Sequence, residues 1–281
     1  MVSVLFQVNS TWLVTVWLFI GVEGASVYSA RAKKREDVGR ATIVGFLICL
    51  LLLMSVSLLS LGIFNQPTLA GLKNPSMAGV LESVVGTWGA VLIYVGVVVS
   101  VGGGFLAWML LAAESLFTPA GGGVMPKWLG ETNGKGVPAN ALWLTNGMVQ
   151  LFLLLTLYSD ASYLALLSLA TALILVPYLF SAVYGVSLAW KGEGAKDARH
   201  RSDLPVAALA TVYCGWLLYA AGVKYLLLSA LLYAPGALLY AWAKRQRHER
   251  VFTPWEWAIL AGLLALAATA GVMLATGRLG L

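Results

Sequence analysis

The chain has 281 residues, 60% of them hydrophobic and only 11% charged, with a mean hydropathy of +0.84. That balance excludes a water-soluble fold, whose apolar share is roughly 45–50%. Its 18 Lys and Arg against 12 Asp and Glu give a net charge of +6, but the basic residues sit in gaps between apolar runs, so no nucleic-acid partner is implied.

Inside the hydrocarbon core no water can satisfy backbone groups, so apolar stretches of about 20 residues read as spanning helices. About eight are expected on that criterion, at 11–28, 41–63, 86–117, 139–157, 162–189, 204–222, 225–242 and 255–275. The first holds an acid between two glycines, Gly21-Val22-Glu23-Gly24. Glycine weakens a helix interior and permits non-helical backbone, so the first span is expected to unwind there. An unwound span presents orphan N–H and C=O groups to a buried ligand, and an intramembrane carboxylate is a functional candidate. The alternative is close small-residue packing at Gly21 and Gly24, with Glu23 near the interface. If the helix is continuous, Trp17, Ile20, Gly21 and Gly24 share one face. Trp17 could then offer a cation its ring face, or serve as an ordinary interfacial belt residue.

The third span exceeds a bilayer's thickness and is expected to tilt or to run on beyond it. Ser100, Gly104, Trp108 and Ala112 share a face there, and the run Gly102-Gly103-Gly104 would admit close approach. Glu114, near the end of that span, reads as interfacial or salt-bridged rather than catalytic. In the fifth span, Pro177 frees a carbonyl and permits a kink.

Fifteen of the 18 basic residues follow the odd-numbered spans: Arg31, Lys33, Lys34, Arg35 and Arg40; Lys127 and Lys135; Lys191, Lys196, Arg199 and Arg201; Lys244, Arg245, Arg247 and Arg250. Only Lys73, Lys224 and Arg278 fall on the opposite side. The bias makes the odd loops cytoplasmic, where anionic lipid head groups attract them, and the N-terminus outside. Such a start is expected either of a natural N-out protein or of a chain from which earlier spans have been removed. His200 and His248 lie in the same basic loops as solvated side chains, and Cys49 and Cys214 lie in apolar runs as plain buried residues. No metal is implied, and no enzyme motif is present.

Trp17-Leu18-Phe19-Ile20-Gly21-Val22-Glu23-Gly24-Ala25-Ser26-Val27, with the basic run after it, resembles the sixth span and following loop of amino acid antiporters. Ala107-Trp108-Met109-Leu110-Leu111-Ala112-Ala113-Glu114 is similar to their eighth span, and Val137-Pro138-Ala139-Asn140 to the start of their ninth. The family is the amino acid, polyamine and organocation superfamily, and the nearest branch is that of arginine/ornithine antiporters. The resemblance covers essentially the whole chain.

The resemblance implies an all-α, polytopic membrane protein in one domain over 1–281: the second half of a LeuT-like five-plus-five inverted repeat (11–189) plus trailing spans (204–275). It makes Trp17 an aromatic gate, puts Ile20, Gly21 and Gly24 at the substrate, makes Glu23 a gating or proton-sensing carboxylate, and makes Trp108 a wall for a basic side chain. The implied function is exchange of arginine and ornithine across the cytoplasmic (inner) membrane, with no cofactor. The partners implied are the lipid bilayer, the two amino acids, and either a missing N-terminal half or a homo-oligomer. The family's first span, with its glycine-rich break, is expected to be lacking, and a second copy inserted in the same orientation would not supply it. The alternative function is a non-transporting membrane protein with a binding or structural role.

Overall fold

A computed structural model describes residues 4–157, 163–191 and 200–279. The expected start of the fifth span at 162, the first residues behind the N-out expectation, and the basic loop residues Lys196 and Arg199 lie outside these, as do the side chains of His200 and Arg201. The described residues form α-helices and short 3-10 turns, without a strand. In order the helices are α1 (Val4–Phe19), α2 (Gly24–Val27), α3 (Arg35–Ile63), α4 (Gln66–Gly71), α5 (Ser76–Val85), α6 (Thr87–Gly121), α7 (Ala139–Leu157), α8 (Tyr163–Lys191), α9 (His200–Tyr233), α10 (Gly236–Gln246) and α11 (Pro254–Ala275).

The chain is an all-α, polytopic membrane protein. Among the described residues five helical runs are long and apolar enough to cross a bilayer: Glu36–Ile63, Thr87–Gly121, Leu164–Lys191, Asp203–Gln246 and Pro254–Ala275. The expected sixth and seventh spans are thus one run, interrupted rather than separated. Gly222, at φ 82°, is non-helical between the two parts of α9. The seventh span is itself broken before Pro235, whose ring has no N–H to continue the ladder.

Two compact units divide the chain. Residues 1–20, 123–127 and 150–281 form one. In it, buried Leu169 of α8, Leu228 of α9 and Leu279 make a core that Leu173, Tyr225 and Met273 surround. Thr171 is fully buried and donates to the carbonyls of Leu167 at 2.9 Å and Leu13 of α1 at 3.4 Å. The hydroxyl of Tyr233 donates to the Leu173 carbonyl, satisfying a phenol within an apolar core. Thr253 starts α11 with a capping box: its hydroxyl accepts the Glu256 N–H while Glu256 accepts the Thr253 N–H at 2.6 Å.

Residues 21–122 and 128–149 form the other unit. Helix α3 opens with Glu36 and Asp37 in its first turn, where acids favour the positive end of the helix dipole. Two helices that the span criterion passes over, α4 and α5, lie between α3 and α6. At six and ten residues they are too short to register as spans. Asn65 caps α4 by accepting the Thr68 N–H at 3.0 Å. Gly86, at φ +84°, turns the chain from α5 into α6. The two helices then come so close that a Cβ on Gly89 would stand 2.5 Å from Val85 Cγ2 and 2.9 Å from the Leu81 carbonyl oxygen. That oxygen is helix backbone and does not yield easily, so Gly89→Ala should destabilise the protein by about 1–3 kcal/mol. A melt of the purified chain in detergent checks this; an unchanged midpoint would show that α5 moves freely over α6.

Candidate functional site

Helix α1 stops at Phe19, and the chain does not re-enter a helix until Gly24. The interruption falls on the Gly-Val-Glu-Gly run, as glycine's permissiveness led us to expect. Gly21 has φ +109°, a conformation open to glycine and strained for other residues. Its N–H, which the broken ladder would otherwise leave without a partner, donates to Glu23 Oε2 at 2.7 Å. The Gly24 N–H donates to the Gly21 carbonyl at 3.0 Å, and the Ser26 N–H to the Glu23 carbonyl at 2.7 Å, which starts α2. Glu23 therefore folds back on its own turn.

The face shared by Trp17, Ile20, Gly21 and Gly24 required a continuous helix and is not formed. The reason is the left-handed torsion at Gly21, which redirects the chain. Trp17 and Ile20 finish the first helix, the Ile20 N–H donating to the Trp17 carbonyl at 3.2 Å, and belong to the first unit. Gly21, Glu23, Gly24 and Trp108 all belong to the second.

Helix α6 brings Trp108 and Leu111, one turn apart, onto the break. A Cβ on Gly21 would lie 3.3 Å from Trp108 Cζ2, and one on Gly24 would lie 3.7 Å from Leu111 Cδ1. The indole thus lies close over Gly21, where an added methyl would require the ring to give by a few tenths of an ångström. Trp108 is still 44% exposed, so much of the ring is open to a ligand. The run Gly102–Gly104, expected to admit a close neighbour, has nothing described within 4 Å of where its side chains would stand.

One turn beyond Leu111, Glu114 is only 6% exposed and is paired. Arg31 Nη2 donates to its Oε2 at 2.8 Å and Arg31 Nε to its Oε1 at 3.4 Å, with Thr118 Oγ1 a further donor at 3.4 Å. Glu114 is therefore salt-bridged, as the sequence suggested, though its partner was not legible. The forked contact ties the 3-10 turn Ser29–Arg31, which follows α2, to α6. The hydrogen bond to Glu114 raises the pKa of Arg31 above the ordinary arginine value, so the guanidinium stays charged. Among the described residues no three His, Cys, Asp or Glu gather as metal ligands, and Cys49 and Cys214 are free thiols, half-buried rather than fully so.

The family model described as "Amino acid permease" matches residues 4–226. Over 99% of its length the chain is 52% identical to the arginine/ornithine antiporter of Pseudomonas aeruginosa, of which it covers 60%. It is 41% identical to the L-lysine transport protein of Corynebacterium glutamicum, with 99% of this chain and 59% of that protein aligned. To the arginine/ornithine antiporter of Latilactobacillus sakei it is 36% identical, with 97% and 57% aligned. The chain thus spans a little under two thirds of the length of these relatives. No solved structure gives a significant match.

Proposed function

Since the chain belongs to the amino acid permease family, we propose that it acts within an antiporter that exchanges basic amino acids, arginine for ornithine, across the cytoplasmic membrane. What carries the proposal is Trp108 lying on the broken backbone at Gly21. The exposed part of the indole gives a guanidinium or ammonium group a cation–π partner without a buried counter-charge, which suits a site that must release as well as bind. The interrupted helix beside it supplies unladdered backbone groups for the polar atoms of an amino acid. The names of the relatives support this substrate class.

Trp17 is the aromatic gate in this scheme, with Ile20, Gly21 and Gly24 at the substrate. Glu23 acts as a gating carboxylate: while it holds the Gly21 N–H the turn is closed, and its protonation would weaken that bond. The basic loops face the cytoplasm and the N-terminus lies outside, in keeping with the charge bias. The proposal includes an N-terminal half that completes the inverted repeat.

The test is arginine/ornithine counterflow in proteoliposomes, with the chain co-expressed with a five-span N-terminal half from a relative. Exchange of arginine for ornithine is expected. Trp108→Ala should slow it about tenfold, and Trp108→Phe less, since a cation–π contact is worth roughly 0.5–2 kcal/mol and Trp is the best ring for it. Exchange that prefers neutral amino acids, or that ignores Trp108→Ala, would overturn the assignment.

A further inference from the structure

In the first unit a groove of about 300 Å³ opens between α10 and α11. Its apolar length is made by Gly236, Ala237, Ile259, Leu260 and Leu263. At one end Phe252 packs between Tyr240, at 5.7 Å, and Trp257, at 5.0 Å between ring centroids. Trp255 and Trp257, 82% and 58% exposed, stand at the start of α11, where tryptophans mark the level of lipid head groups.

The same end is basic. Lys244 is engaged by Glu249 at 2.6 Å. Arg245 and Arg250 are exposed, and neither forms an ion pair among the described residues. The one acid in the cavity wall, Glu256, has both oxygens occupied: Oε1 accepts from the Tyr240 hydroxyl at 2.7 Å and Oε2 from the Thr253 N–H at 2.6 Å. The apolar slot therefore runs toward the α10–α11 connection, which carries the exposed Arg245 and Arg250 and leads into the two exposed tryptophans at the start of α11.

We propose that this groove is a binding site for a glycerophospholipid with an anionic head group, its phosphate held by Arg245 and Arg250 and an acyl chain lying between α10 and α11. The charge of the connection selects the anion, and the apolar slot selects a lipid over a free phosphate. The site stands apart from the antiport reading and does not depend on it.

Native mass spectrometry of the detergent-purified chain tests the site, with phosphatidylglycerol and phosphatidylcholine of identical acyl chains as probes. Retention of phosphatidylglycerol should exceed that of phosphatidylcholine by about fivefold or more, the effect expected of each arginine near an anionic head group. The double substitution Arg245→Ala/Arg250→Ala should bring the two lipids to parity. Gly236→Leu should lower retention of both, because a Cβ there meets nothing within 4 Å and the larger side chain fills the slot without strain. Equal retention of the two lipids by the unsubstituted chain would overturn the proposal, as would displacement of phosphatidylglycerol by inorganic phosphate alone. Since those two results need no variant, a poorly folding arginine mutant would not obscure the outcome.

Discussion

Replacing Gly21 by valine is expected to abolish the proposed arginine/ornithine exchange and to lower the melting temperature of the purified chain. Two separate costs coincide at this residue. Its φ of +109° is strained for any side chain and worst for a β-branched one, at about 1–3 kcal/mol. A Cβ would also press to 3.3 Å on Trp108 Cζ2, with the valine methyls closer still. Relief of the strain would carry Gly21 back toward helix, and then its N–H would leave Glu23 and the indole would lose its seat. At about tenfold per 1.4 kcal/mol, the torsional cost alone corresponds to roughly 5- to 150-fold in the population of the broken form. The control is Gly45→Ala in α3, where nothing lies within 4 Å of the added carbon. Counterflow and melting should both be indifferent to it. A Gly21→Val transporter that exchanges at the normal rate would remove the break from the mechanism.

Charge reversal at Arg31 is the second large effect. Arg31→Glu sets a second carboxylate against Glu114, which is only 6% exposed and, among the described residues, has Thr118 as a further side-chain donor. Arg31 is half exposed but Glu114 is not, so the reversal leaves the buried carboxylate with Thr118 and a like charge beside it, the costly direction in which to break such a pair. The yield of monodisperse protein by size-exclusion chromatography should fall about tenfold or more. Glu114→Gln should be milder, because a neutral amide removes the buried charge and still accepts a hydrogen bond from Arg31. The exchange Arg31→Glu/Glu114→Arg should recover part of the loss. If it recovers none while both single variants are equally poor, the residues act separately rather than as a pair.

How much of this was readable beforehand depended on distance along the chain. The break was legible because glycine and glutamate stand together within four residues, and backbone permissiveness is a local property. That Glu114 is paired was legible from the expense of an acid in a span, but its partner lies 83 positions earlier and only folding brings it near. The shared face of Trp17 and Gly24 failed for the same reason that the break succeeded: helical periodicity cannot cross a left-handed residue. Helices α4 and α5 escaped notice because a 20-residue window averages over them. In the seventh span the apolar pattern runs unbroken through Pro235, whereas the hydrogen-bond ladder does not.

Helix α6 also has the geometry of a lever. Its 35 residues make a rod about 52 Å long, against a hydrocarbon layer of about 30 Å. Trp108 rides about 32 Å from the Thr87 end. A rotation of the rod by about 10° around that end would sweep the indole through roughly 5–6 Å, enough to lift it clear of Gly21, and would require release of the Arg31–Glu114 contact farther along the rod. Large travel at the ring thus needs only a small angular change at the pivot. Paired spin labels at Gly24 and Leu111 would register it as a broadened or doubled distance distribution, and a single narrow distance under all substrate conditions would show the rod to be fixed.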